Sequence, residues 1–347
     1  MKYSFANDYC EGCHPSILEA LAENNLIQQA GYGDDAYTQN AIGSIRQLIG
    51  KPDAGVYMIA GGTLANLVVL SSILRPFESV VAANSGHIFV NETGAIEATG
   101  HKVEAASSLD GKLRPHDIKP FLNKLRGHHV VRTRVVYISN STELGTVYTK
   151  QELTDLHLFC KENDLILFMD GARLPMALTS PSNDMDLADI ARLTDVFYIG
   201  GTKCGALLGE AVVITNPKLD IDFRYHLKQR GALMAKGRTM GVQFDQLLRN
   251  NLIFDLADHA NKMAKKISDA FLSLGYNMLI DSDTNQIFPV LPNILIERLQ
   301  ADYAFLIWNI IDPEYSAVRF ITSWATPEEV VDEFINDLHN LYRKINI

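Results

Sequence analysis

Six short apolar runs in this 347-residue chain fail to alternate with polar residues, and that failure restricts the folds open to it. Val56 to Ile59, Val80 to Ala83, Val135 to Ser139, Leu165 to Met169, Val196 to Ile199 and Ala211 to Ile214 are mostly apolar throughout. A strand with one face in water shows a period of two, whereas a strand covered on both faces does not. Between the runs lie stretches with helical period. The expected class is therefore α/β, a mainly parallel sheet sandwiched by helices. Thr149-Lys150-Gln151-Glu152 has the form of a capping box, and Leu153, Leu156 and Phe159 supply the apolar positions of the helix it opens.

After about residue 220 the pattern lengthens. His259 to Leu274 reads as a helix with Met263, Ile267, Phe271 and Leu274 on one face, which leaves Lys262, Lys265 and Lys266 as a solvated cluster. Shorter strands follow at Gln286 to Leu291 and Ala317 to Ile321. Thr326-Pro327-Glu328-Glu329 then opens a final helix whose stripe is Val330, Val331, Phe334, Leu338 and Leu341. The expected organisation is an N-terminal arm and first helix (1–40), a large domain (41–250) and a smaller α/β C-terminal domain (251–347). With 47% hydrophobic residues, a chain of this length can bury a large core.

A net charge of −10 argues against nucleic acid as a partner, since phosphate-binding surfaces carry a basic excess. No apolar run is long enough to span a bilayer, and Met1-Lys2-Tyr3-Ser4-Phe5 lacks a signal core, so the expected location is cytoplasmic. Four cysteines are too few for a disulfide framework. Cys10-Glu11-Gly12-Cys13-His14 spells a haem-attachment pattern, but without an export signal it reads as two reduced thiols in an N-terminal arm. No ligand cluster marks a metal site.

The chemistry-bearing residues gather at strand ends. Lys203 follows the Val196 run through Gly200-Gly201-Thr202, and Asp170-Gly171-Ala172-Arg173 closes the run before it. An amine and a carboxylate so placed are what pyridoxal 5'-phosphate (PLP) needs: the amine forms a Schiff base, and the acid keeps the pyridine nitrogen protonated. Gly61-Gly62-Thr63 after the Val56 run puts free amides at a helix start, where an anion binds. His87 follows the Val80 run, where its ring can stack on a pyridine. A Walker motif and a G-x-G-x-x-G turn are both missing, which disfavours nucleotide and nicotinamide chemistry.

These residues resemble the threonine aldolases and their β-eliminating relatives, PLP enzymes of the aspartate aminotransferase fold (fold type I). The resemblance spans nearly the whole chain. It implies that Gly62 and Thr63 hold the phosphate, His87 stacks on the ring, Asp170 binds the ring nitrogen and Lys203 carries the cofactor. Asn7-Asp8 is similar to a short element near the substrate, and Tyr32-Gly33-Asp34-Asp35 to the Tyr-Gly-Glu-Asp loop. Arg319, in Val318-Arg319-Phe320, matches the arginine that binds the substrate carboxylate. Arg173 is expected to share that task, because a planar guanidinium fork suits a carboxylate. Arg238 is similar to an arginine that reaches the neighbouring subunit's phosphate. With Tyr32 it implies a homodimer or homotetramer.

One segment departs from the pattern. Many threonine aldolases carry Glu-Asn-Thr-His where this chain has Ser139-Asn140-Ser141-Thr142-Glu143, with threonine in place of the histidine. Cleavage needs a base for the β-hydroxyl proton. His87, Glu143 or an ordered water are the alternatives. The favoured expectation is a lyase cleaving the Cα–Cβ bond of a β-hydroxy-α-amino acid of the threonine, allo-threonine or phenylserine type to glycine and an aldehyde. The competing expectations are β-elimination or transamination at the same site, or a non-catalytic binding protein.

Overall fold

A computed structural model describes residues 1–122 and 124–345. Thirteen strands occur among them. They are β1 (Tyr3–Ser4), β2 (Gly55–Ile59), β3 (Glu78–Ala83), β4 (Lys102–Ala106), β5 (Arg132–Ser139), β6 (Ile166–Asp170), β7 (Val196–Gly200), β8 (Glu210–Ile214), β9 (Gln286–Ile287), β10 (Val290–Pro292), β11 (Tyr303–Ala304), β12 (Leu306–Ile310) and β13 (Tyr315–Ile321). Seven of these build one sheet in the order β2-β8-β7-β6-β5-β3-β4. It is mixed but mostly parallel, because only β8 runs antiparallel to its neighbours β2 and β7.

Both faces of this sheet are covered, which is why the runs do not alternate. Val81, Val136, Leu167 and Phe197 pack into one apolar cluster, while their chain neighbours Val80, Val135, Phe168 and Val196 pack into another on the opposite face. The helix Lys150–Glu162 carries the expected capping box, with Thr149 and Glu152 each satisfying the other's backbone. It buries Leu153, Leu156 and Phe159.

A four-stranded antiparallel sheet of β9, β10, β12 and β13 carries the C-terminal part. The long helices Leu252–Ser273 and Glu328–Ile345 pack on it, and Phe271, Phe320, Phe334 and Phe5 form its aromatic core. Lys262, Lys265 and Lys266 pair with Asp258, Asp269, Glu328 and Asp332 on the exposed surface. The N-terminus is tied into this layer: β1 pairs in parallel with β11, and Phe5 bonds Ala304 and Ile321 through its backbone. No helix among the described residues is long and apolar enough to cross a membrane.

Candidate active site

The carboxyl-terminal ends of β2, β3, β5, β6 and β7 open onto one edge of the large sheet. Ligands in open α/β sheets bind at such an edge. Asp170, the last residue of β6, is buried and aligned with Ser139 of β5. Its Oδ2 accepts a hydrogen bond from Asn66 Nδ2 at 3.1 Å and another from the Tyr137 hydroxyl, and its Oδ1 accepts the Ala172 N–H at 3.0 Å. Burial presses its pKa upward, but the charge on His87 and the Tyr137 hydroxyl outweigh that pressure and hold the group below the ordinary carboxylate range. The carboxylate is thus ionised inside the protein. The next residue must be glycine, since a Cβ on Gly171 would stand 1.6 Å from the Tyr198 carbonyl of β7.

Lys203 stands in the turn that leaves β7. Gly201 N and Thr202 N both donate to the Gly209 carbonyl, and the Thr202 hydroxyl donates to Glu210 Oε1 at 2.8 Å. Glu210 begins β8 with Ile59 of β2 on one side and Gly200 of β7 on the other. Its Oε2 accepts the Gly201 N–H at 3.1 Å, and burial pushes its pKa up to about 8. The Lys203 amine takes no hydrogen bond or ion pair among the described residues. Burial first, then Arg173, draws its pKa below the ordinary lysine value against the pull of Asp8, Asp170 and Glu210. A depressed amine without a partner is a nucleophile in waiting.

His87 begins the short helix His87–Val90 after β3. Its Nδ1 lies 2.8 Å from Glu92 Oε1, and Asn66 Nδ2 bridges that same oxygen, at 2.7 Å, to Asp170. Burial lowers the imidazole pKa, but Glu92 and Asp170 more than reverse the effect, so the ring holds its proton above the ordinary histidine range. Glu92 is a member of the site that the sequence did not disclose. A lone acid five residues after a histidine carries no signal by itself.

The two arginines differ in what they hold. Arg173 gives its fork to Asp8, Nε to Oδ2 at 2.7 Å and Nη2 to Oδ1 at 3.0 Å, while Asn285 Nδ2 reaches Asp8 Oδ2 at 2.9 Å. Asp8 is fully buried. Arg319, on β13, lies with its guanidinium carbon 5.0 Å from the centroid of Trp308, and its buried Nε has no partner. Burial, and then the charge of Arg173, lowers its pKa, so Arg319 shares the cleft with Arg173.

The remaining expected residues lie around this centre. Asn7 precedes Asp8, and its Oδ1 accepts from Tyr9 N at 3.0 Å. Gly62 and Thr63 begin the helix Gly62–Ile73, whose N-cap Gly61 supplies no side-chain cap. Arg238 opens the helix Arg238–Leu248 and directs its fork at the carbonyls of Asn25 and Ile27. Tyr32 is exposed, has a positive φ of 59° and sits under the Lys228 amine, 4.5 Å from its ring centroid. The structure therefore brings Lys203, Asp170, His87, Arg173 and Arg319 into one charged network, and Tyr32 and Arg238 are not part of it.

The site fits PLP on its own features. The uncapped helix start at Gly62 suits a phosphate, Asp170 is ionised for a pyridine N–H, and Lys203 is free for an aldehyde. Orphaned buried polar atoms nearby, Asn140 Nδ2 and Arg319 Nε, still need partners.

The chain is similar to known proteins over nearly its whole length. Residues 5–293 match the family model for β-eliminating lyases. The low specificity L-threonine aldolase of Pseudomonas aeruginosa is 33% identical over 341 residues, covering 96% of each chain. A Leishmania major threonine aldolase structure is 49% identical with a TM-score of 0.96, covering 98% of this chain and 99% of that one. Aspartate aminotransferase of Thermus thermophilus, at 15% identity and a TM-score of 0.72 over 96% of this chain and 90% of its own, shares the fold alone. The fold is that of the aspartate aminotransferases, fold type I, and the chain belongs to the β-eliminating lyase family.

Proposed function

We propose that this protein is a PLP-dependent aldolase that cleaves a β-hydroxy-α-amino acid of the threonine type to glycine and an aldehyde. The observation that carries the reading is the pairing of an unengaged, depressed Lys203 amine with the ionised, buried Asp170 at adjacent strand ends. The names of the relatives from Pseudomonas aeruginosa and Leishmania major select the substrate class.

Bound PLP would supply an aldehyde for the substrate amine and a ring that accepts electrons when a bond to Cα breaks. Lys203 would hold that aldehyde in the resting enzyme. Asp170 would keep the ring nitrogen protonated, and the Glu92–His87 pair would present a fixed imidazole against the ring face. The amides of Gly62 and Thr63 would take the phosphate. Arg319, whose Nε lacks a partner, would grip the substrate carboxylate. Arg173 reaches the same carboxylate only by sharing its fork with Asp8, so its first task is to anchor the N-terminal arm. Asn7, beside Asp8 on that arm, would face the substrate.

Tyr32 and Arg238 would serve the site of a neighbouring copy, which makes the working unit a homodimer or homotetramer. The exposure of Tyr32 in this single chain supports that reading. Purified protein loaded with PLP should release acetaldehyde from L-threonine or L-allo-threonine, and glycine should accumulate in equal amount. Formation of pyruvate and ammonia instead, or a requirement for a keto acid, would move the protein to β-elimination or transamination.

A further inference from the structure

The base that takes the β-hydroxyl proton is the open chemical question at this site, and the geometry of the loop after β5 bears on it. Thr142, which stands where related chains carry a histidine, is fully buried. Its Oγ1 is shared with Thr146 Oγ1 at 2.7 Å and accepts the Thr146 and Leu144 N–H groups at 3.2 and 3.3 Å. It is spent on holding the loop. His87 is tied through Nδ1 to Glu92, and Glu92 and Asp170 favour its protonated ring, the form with no lone pair to offer.

Glu143 remains. Its Oε1 accepts the Ser139 hydroxyl at 2.7 Å and the His87 N–H at 2.9 Å, which fixes the carboxyl between the end of β5 and the start of the His87 helix. No salt bridge joins Glu143 among the described residues, and the fork of Arg173, whose charge it feels, is occupied by Asp8. The charged and titratable groups facing it are His87, Asp170, Arg173 and Tyr137. Burial, helped by Asp170 and opposed by Ser139 and His87, holds its pKa above the ordinary glutamic acid value. A carboxylate of raised pKa is a stronger base than one in water.

Resting on the aldolase reading above, we propose that Glu143 is the general base for the substrate's β-hydroxyl. As the O–H bond breaks, its proton passes to the Glu143 carboxylate and the oxygen pair becomes the second bond of the aldehyde carbonyl. The Cα–Cβ pair stays with the glycine half, which takes up one proton. The net change moves a proton from oxygen to carbon and needs no oxidant or reductant.

The test uses the PLP-loaded enzyme and its Glu143→Gln variant, whose amide oxygen can still accept from Ser139 and His87. Two readouts are compared: aldehyde release from L-threonine, and exchange of the glycine α-hydrogen for deuterium, which needs the cofactor and Lys203 but no β-hydroxyl base. The proposal expects aldehyde release to fall by about 10²–10⁴-fold while glycine exchange and the cofactor absorbance stay near wild type. Ser139→Ala, which removes a donor to the carboxylate, should shift the acid limb of the cleavage pH profile upward. Undiminished aldehyde release in Glu143→Gln would overturn the assignment and leave the aldolase reading standing. Parallel loss of cleavage and exchange would make Glu143 a structural residue and overturn it as well. A wild-type enzyme that exchanges glycine but cleaves no β-hydroxy amino acid would instead sink the aldolase reading itself, and the base with it.

Discussion

Asp8 and Arg173, 165 residues apart in the chain, meet in a two-point ion pair inside the site, with both carboxylate oxygens engaged. The pair decides which arginine is left for a substrate. A guanidinium already neutralised by a buried carboxylate offers less to an incoming anion than Arg319, whose fork lies over the Trp308 ring and whose buried Nε has no partner.

Removing Asp8 should therefore be costly. Asp8→Ala leaves Arg173 charged and unpaired in a largely buried position and strips Asn285 of an acceptor. Loss of one partner of a buried pair costs about 3–5 kcal/mol. Urea unfolding followed by circular dichroism should show that loss, and a change near zero would mean that solvent already screens the pair.

Arg319→Ala should raise KM for threonine more than it lowers kcat. A hydrogen bond to a charged group contributes roughly 1.5–3 kcal/mol, or about 10- to 150-fold in affinity. Lys at this position should restore little, because an ammonium cannot reproduce the planar fork that lies over Trp308. Steady-state kinetics with both variants would decide, and an unchanged KM in Arg319→Ala would return the carboxylate to Arg173.

Lys203→Ala should abolish aldehyde release while leaving the fold intact, since the amine it removes makes no hydrogen bond and is charged at some cost in its buried setting. Borohydride reduction of the wild type with PLP, followed by peptide mapping, should place the label on the peptide carrying Lys203. A label elsewhere would contradict the assignment.

Glu210 gives the protein a pH signature. Unfolded, its carboxyl loses a proton near 4.5; folded, it keeps that proton up to about 8. Between those values the folded state binds more protons, so this group's contribution to stability declines as pH rises, at up to about 1.4 kcal/mol per pH unit. Melting temperatures of wild type and Glu210→Gln, measured from pH 5 to 8.5, should diverge in that sense, with the variant flatter. Parallel curves would show that Glu210 is ionised in the fold at neutral pH.

Much of this layout is legible in the sequence because it rests on short-range rules. The covered strands declare themselves by lacking alternation, and the Thr149 capping box by its spacing. β4 escapes notice, since Lys102-Val103-Glu104-Ala105-Ala106 mixes charge with small residues, as an edge strand does. The reversed direction of β8 has no local signature. Lys203, Asp170 and His87 stand out because each follows a strand. Glu92 and Glu210 do not, because a single acid looks like surface until its partner is known: His87 for Glu92 and the Gly201–Thr202 turn for Glu210.

The first residues of the chain are fastened at two places. Tyr3 and Ser4 lie along β11, Phe5 bridges to β13, and a few residues on Asp8 is locked to Arg173 beside the lysine. That segment works as a tie-rod between the C-terminal layer and the cleft. The strand that carries Arg319 is thereby joined, through residues 5 to 8, to the carboxylate that holds Arg173, so the placement of one guanidinium constrains that of the other.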